Sequence, residues 1–256
     1  MNDLSAWLDV QHWLSVMILT SARIMPVFLL LPFLTGNIVS VNIRMPVAIF
    51  IGASLWPYSL ERMPVEEINF WGVLAQELFI GLILGVLFAL PFWIMHGVGC
   101  VIDHQRGATV SSTFDPMSGV DTSELANLFN LFAGALFLAG GGMLLLMETF
   151  QQSYRLCDPL QTCTPALKPV LGILGHLMTR IIILASPVLV CLLLSEVILG
   201  LLSRFAPQMN AFSISLTIKS LIAFVVLILY FSPYLPDAFK TLAPHPGVLD
   251  IWLKPD

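Results

Sequence analysis

The residues of this chain that could do chemistry keep unusual company. Arg23, Glu77, Arg180, Glu196 and Lys219 all lie inside long apolar runs. A charge at the centre of a membrane helix costs ~2.5–3.5 kcal/mol on insertion scales. Two arrangements reconcile such residues with apolar surroundings. They sit near helix ends and snorkel to water, or they face protein or water inside an assembly. Prolines recur in the same runs and favour the second. A broken helix at membrane depth is tolerated only where protein or a water-filled cavity satisfies the freed backbone groups. A proton relay through Glu77 or Glu196 is the one chemical role these groups suggest.

Catalytic motifs are missing. There is no His-Glu-x-x-His zinc pattern, no Gly-x-Ser-x-Gly elbow and no Gly-x-x-x-x-Gly-Lys phosphate loop. Gly140-Gly141-Gly142 is followed by an apolar run without lysine, so it marks a break or a close helix contact. Asp103 and His104 are adjacent but have no nucleophile at a telling distance, and the five His are scattered. Neither an enzyme nor a bound metal or cofactor is expected. Cys157 and Cys163 flank a short loop. They would form a disulfide in an oxidising compartment and remain thiols in the cytosol. A zinc site would need further ligands at suitable spacing. Cys100 and Cys191 lie in apolar runs and read as small core residues.

The elements that must position these residues follow from composition. Of 256 residues, 57% are hydrophobic and 11% charged, and the mean hydropathy is +0.90. Soluble domains carry about 25% charged residues. A soluble fold is excluded for want of polar surface, and disorder for want of charge. With 17 Gly, 17 Pro and 4 Cys, collagen-like and disulfide-scaffold folds are excluded too. A net charge of −5 argues against nucleic acid as a partner. Met1 to Gln11 holds Asp3 and Asp9 but no Lys or Arg, unlike a secretory signal, so the first apolar run is expected to be retained.

An all-α integral membrane protein is expected, with about six apolar helical segments. They run near Trp13–Leu34, Met45–Tyr58, Phe70–Ile102, Leu128–Met147, Val170–Leu202 and Phe212–Phe231. None shows the alternation of barrel strands. The third and fifth are too long for a simple span, and each suits a tilted helix, a kinked helix or a hairpin. Pro91 and Pro187 are the expected break points. The second is short and bracketed by Pro46 and Pro57. Gly81-Leu-Ile-Leu-Gly85 would admit a close helix neighbour or be a mere flexible patch. Arg44, Arg106 and Arg204 fall on one side of six crossings. Arg62, Arg155, Lys168, Lys240 and Lys254 fall on the other. That bias weakly places the second side and both termini in the cytoplasm. A disulfide at Cys157 would pull the other way.

The whole chain, 1–256, is expected to be one membrane-embedded domain with a C-terminal tail at 232–256. The polar stretch 103–124 is long for a connector, and such loops are often functional. Asp121 or Thr122 would cap the helix that follows it. Ser203 to Phe212 is a second, tighter polar joint.

Four stretches carry a resemblance to a known family. They are Arg23-Ile-Met-Pro26 through Phe33 with Arg44; Gln76-Glu77-Leu-Phe-Ile-Gly81 with Gly85; Gly99-Cys-Val-Ile-Asp103-His-Gln105-Arg106-Gly107 through Asp115-Pro116, Gly119 and Ser123; and Arg204-Phe-Ala-Pro207-Gln208-Met-Asn210-Ala-Phe212 with Lys219. The chain resembles the type III secretion export-apparatus subunits of the FliR/SpaR/SctT family, and its wording is nearer the virulence (injectisome) branch. The resemblance implies a subunit of a helical, hetero-oligomeric export gate in the bacterial inner membrane, much of it raised toward the periplasm. Implied partners are the R (FliP-like) and S (FliQ-like) gate subunits, the U (FlhB-like) export switch, secreted proteins in transit and lipid. It also implies a pore-sealing plug loop, carried here by Arg106, Gly107, Ser111, Ser112, Phe114, Asp115, Pro116, Met117 and Gly119. Polar assembly contacts are expected at Arg23, Glu77, Asp103, Gln105, Arg204, Gln208, Asn210 and Lys219. The competing expectation is a secondary transporter for small solutes. Broken helices and buried charges suit it, but the only internal echo is Arg23-Ile-Met-Pro-Val against Arg44-Met-Pro-Val.

Overall fold

The computed structural model describes residues 2–34, 40–58, 69–108, 123–161, 163, 168–205 and 211–242. Its helices are α1 (Asn2–Ala22), α2 (Ile24–Leu30), a 3-10 turn (Pro32–Leu34), α3 (Val41–Leu55), α4 (Phe70–Arg106), α5 (Glu124–Ala139), α6 (Gly142–Leu156), α7 (Lys168–Phe205) and α8 (Ala211–Leu242). No strand occurs among the described residues. The expected all-α membrane class is borne out. Three stretches are long and apolar enough to cross a bilayer: Phe70–Arg106, Gly172–Phe205 and Ile214–Phe231. The number rises to five if two bent pairs each count as one span. The expected second segment corresponds to α3, a shorter apolar helix.

The breaks have local causes. Between α1 and α2 the axis turns by 51°, and Arg23 stands at the corner. Pro26 lies four residues after Ala22. Its ring removes the donor for the Ala22 carbonyl and clashes with it, so the helix stops there and restarts. The α5–α6 pair turns by 72° at Gly141, whose φ of +76° only glycine adopts at low cost. The glycine run at 140–142 is therefore a break. α3 ends where Trp56 turns extended, with ψ 129°, because Pro57 disfavours a helical conformation in the residue before it.

Pro91 and Pro187 behave otherwise. α4 and α7 run on through them for 37 and 38 residues. The expected break at these two positions does not divide either helix, and neither segment is a hairpin. Each proline deletes one hydrogen bond, and the ladder on both sides persists. α8 likewise continues past Phe231, through Pro233 and Pro236. Phe231, Leu235, Ala238 and Phe239 are all buried at helical spacing, which explains the extension.

The chain packs as two compact units. The first comprises the residues up to Leu90 together with Phe137–Ile173. Here α2 lies directly on α4. A Cβ on Gly81 would run into the Arg23 carbonyl, and one on Gly85 into Leu30 and the Pro26 carbonyl. The Gly-x-x-x-Gly pattern thus admits α2. Val16, Leu19, Trp56 and Tyr154 form an adjoining cluster. The second unit comprises Pro91–Leu136 and 174–242. There Gly99 abuts the backbone of Leu125 and Ala126, Phe92 meets Phe239 edge-on and Phe129 stacks on Phe231 at 5.0 Å.

Candidate functional sites: a buried ion pair and a fastened loop base

In the first unit, the corner between α1 and α2 aims Arg23 inward. Its side chain and that of Glu77 are both fully buried. Nε donates to Glu77 Oε2 at 2.8 Å and Nη2 to Oε1 at 2.7 Å. Nη1 donates to Ser153 Oγ at 3.1 Å, and Nη2 also to the Cys157 carbonyl at 3.0 Å. The guanidinium lies 4.0 Å from the Tyr154 ring centroid. A buried charge pair is viable only with such bidentate geometry and with its remaining donors satisfied. The set joins the α1–α2 corner, α4 and the end of α6. Arg23 and Glu77 therefore face protein and do not snorkel.

Beyond α6 a short strap begins at Cys157, whose carbonyl is one of the acceptors of Arg23. Cys157 and Cys163 stand side by side, their Cα atoms 5.6 Å apart. The Tyr58 hydroxyl donates to the Asp158 carboxylate at 2.7 Å. Gln76 Nε2 donates to the Gln161 carbonyl at 2.9 Å, and the Cys163 N–H donates to Gln76 Oε1 at 3.3 Å. The hydrogen bond to Asp158 pushes the Tyr58 phenol above its ordinary pKa, helped by desolvation and the carboxylate charge. Arg44 is buried near the 3-10 turn, where Nη1 donates to the Leu34 carbonyl at 3.3 Å.

In the second unit, Asp103 near the end of α4 is 1% exposed. Its Oδ1 accepts from Arg106 Nε at 2.7 Å. Its Oδ2 accepts from Ser123 Oγ at 2.6 Å and from the Leu125 N–H at 3.1 Å. Its backbone carbonyl accepts from Ala108 N–H at 3.1 Å. Ser123 Oγ in turn accepts from Ala126 N–H at 3.1 Å. Ser123 is thus the cap of α5, in place of the expected Asp121 or Thr122. Its hydroxyl serves the third residue of the helix, the geometry a cap requires. Gly107 closes α4 at a φ of +80°, and a Cβ there would meet the Leu216 side chain.

Lys219 pairs with Glu196 at 2.8 Å, and Gln105 Nε2 donates to the same carboxylate at 3.3 Å. Arg106 stands 5.2 Å from the Phe224 ring centroid. Two polar sets result: Asp103 with Arg106 and Ser123, and Glu196 with Lys219 and Gln105. Arg204 is exposed at the end of α7. Ser111, Ser112, Phe114, Asp115, Pro116, Met117, Gly119, Gln208 and Asn210 lie outside the described residues. An apolar groove of about 400 Å³ separates α5 from α8, lined among others by Phe129, Phe132, Phe224 and Phe231. Among the described residues no group of three or more His, Cys, Asp or Glu could hold a metal ion. Ser153, Tyr154, Tyr58 and Asp158 were missed by sequence reasoning. The one available signal was the i, i+1, i+4 spacing of Ser153, Tyr154 and Cys157 at the end of α6 and its C-cap.

Comparison with known proteins gives this arrangement its setting. The family described as bacterial export proteins, family 1, matches residues 14–243. The chain belongs to this family. It is 45% identical over 247 residues to the surface presentation of antigens protein SpaR of Salmonella typhimurium, covering 96% of this chain and 94% of the relative. The Yop proteins translocation protein T of Yersinia pestis is 27% identical, with 91% and 92% covered. The flagellar biosynthetic protein FliR of Pectobacterium carotovorum is 24% identical, with 89% and 88% covered. The resemblance read from the four motifs is thereby borne out. This bacterial export protein is a membrane-embedded, type III secretion export-apparatus subunit of the FliR/SpaR/SctT kind.

Proposed function

We propose that this subunit helps to form and seal the pore through which unfolded effector and needle proteins leave the bacterial cytoplasm. It works in the inner membrane as one non-catalytic gate domain over 1–256; the expected tail at 232–256 shortens to the residues after Leu242, because α8 runs that far. Much of the assembly is raised toward the periplasm. Its neighbours are the R (FliP-like), S (FliQ-like) and U (FlhB-like) proteins, with secreted chains in transit and lipid around them. Arg204, Gln208 and Asn210 serve contacts in that assembly.

The observation that supports a sealing role is the Asp103 fastening. One buried carboxylate ties the end of α4 to the start of α5, so the two ends of the 103–124 stretch are fastened together. A seal must yield to a passing chain without loosening its frame. A loop whose feet are fixed independently of its tip meets that need. Arg106 and Gly107 belong to the base. Ser111, Ser112, Phe114, Asp115, Pro116, Met117 and Gly119 supply the sealing contacts, Phe114 and Met117 the apolar ones.

Deleting 109–119 while keeping Gly107 and Ser123 is expected to raise ion conductance of the assembled gate in membranes without loss of assembly. Unchanged conductance in an assembled complex overturns the sealing role.

A further inference from the structure

We propose that Cys157 and Cys163 are an oxidation site, and that their disulfide latches the strap beside the buried Arg23–Glu77 pair from the periplasmic side. This does not rest on the export role.

Three observations carry it. First, the Cα separation of 5.6 Å lies at the centre of the range that a disulfide spans. Second, the two cysteines are brought together by contacts that do not need the bond. Gln76 holds the strap in both directions, donating to Gln161 and accepting from Cys163. Asp158 is held by Tyr58 and accepts from the Leu160 N–H at 3.0 Å. Third, the bond has something to hold. The carbonyl of Cys157 is a direct acceptor of Arg23, so fixing Cys157 fixes a ligand of the buried guanidinium. Cys100 and Cys191, by contrast, are free thiols on α4 and α7.

The chemistry balances with a thiol–disulfide oxidoreductase as oxidant. Cys163 is partly exposed and Cys157 is 1% exposed. The Cys163 thiolate attacks the oxidant's disulfide and forms a mixed disulfide. Cys157 then attacks Cys163 Sγ and releases the oxidant as a dithiol. Two thiols lose two protons and two electrons, and the oxidant's disulfide takes both electrons. Such oxidants act outside the cytosol. The strap, with the end of α6 and Tyr58, then faces the oxidising compartment. This reverses the side that the weak Lys and Arg bias assigns to this loop.

The test uses the full chain in bacteria producing the secretion system. In a C100S/C191S background, cells are acid-quenched and thiols tagged with a mass-shifting maleimide. No tag before reduction and two after it are expected. In cells lacking the periplasmic thiol oxidant, two tags appear without reduction. Two tags before reduction in otherwise normal cells overturn the oxidation site.

The latch is read by trypsin cleavage after the exposed Arg155 in the detergent-extracted complex. Closing a loop this short shifts local opening on the order of 10- to 50-fold. Cleavage is expected to accelerate by that order both in C157S/C163S and in chemically reduced wild-type protein. Unchanged cleavage in the reduced wild type overturns the latch even if the double variant misfolds.

Discussion

At the scale of single residues, the chain concentrates its polar stabilisation at two carboxylates. Removing one partner of a buried ion pair costs about 3–5 kcal/mol, because the other charge is left uncompensated. Glu77→Gln should therefore lower the thermal stability of the extracted subunit sharply. Arg23→Met with Glu77→Leu should recover most of the loss, since apolar replacement of a whole pair is often neutral. Arg23→Lys should fail to rescue, because an ammonium cannot reproduce the fork to both Glu77 oxygens. A Glu77→Gln gate that assembles and secretes fully would dispose of a proton relay at this residue. Tyr58 gives a pH prediction. Its folded pKa is raised above that of the unfolded phenol, so its contribution is complete below pH ~10 and is lost as pH climbs through the folded value. Alkaline unfolding of Tyr58→Phe should lack that component, and phenolate absorbance should show one fewer late-titrating tyrosine. Arg23 and Glu77 were legible in the sequence because charges inside apolar runs need partners, whereas Asp103 was legible through the family resemblance. Their partners were not. Ser153 and Tyr154 are unremarkable on an amphipathic helix such as α6, and only the fold brings them to Arg23.

At the scale of elements, proline and glycine divide the labour in a way that composition does not reveal. Pro26 ends a helix, whereas Pro91 and Pro187 do not. The difference lies in what the bend brings together. At the α1–α2 corner the turn delivers Arg23 to Glu77 and seats α2 on Gly81 and Gly85, and those contacts reward the bend. Gly141 and Gly107 both hold positive φ. Around Gly141 a Cβ would meet nothing, whereas at Gly107 it would meet Leu216. Gly141→Ala should therefore cost only the conformational strain, about 1–2 kcal/mol. Gly107→Ala should cost more than this. Paired thermal-shift measurements on the extracted complex would show the order. Segment existence was readable because apolar runs of this length leave few alternatives. The ends were not, since the extension of α8 depends on burial of Leu235 and Phe239 in the fold.

At the scale of the whole molecule, the chain leaves much apolar surface uncovered. Along α7, Ile182, Val190, Leu193, Leu194, Val197, Ile198 and Leu201 are all more than half exposed. Contiguous apolar surface on this scale marks lipid or protein contact. Extraction in mild detergent should yield the subunit together with two other small hydrophobic proteins. Recovery of a stable, solitary chain would count against the gate assembly. Asp103→Ala belongs at this scale too. It should leave that co-purification intact yet raise ion leakage, and Asp103→Asn should leak less because it keeps an acceptor for Ser123. The fastening at Asp103 also has a practical use. It bridges positions 20 residues apart in sequence and holds its two helices in register from below. A foreign epitope spliced between 109 and 122 should therefore ride on an undisturbed scaffold, giving experimenters a handle on a conduit otherwise hard to tag.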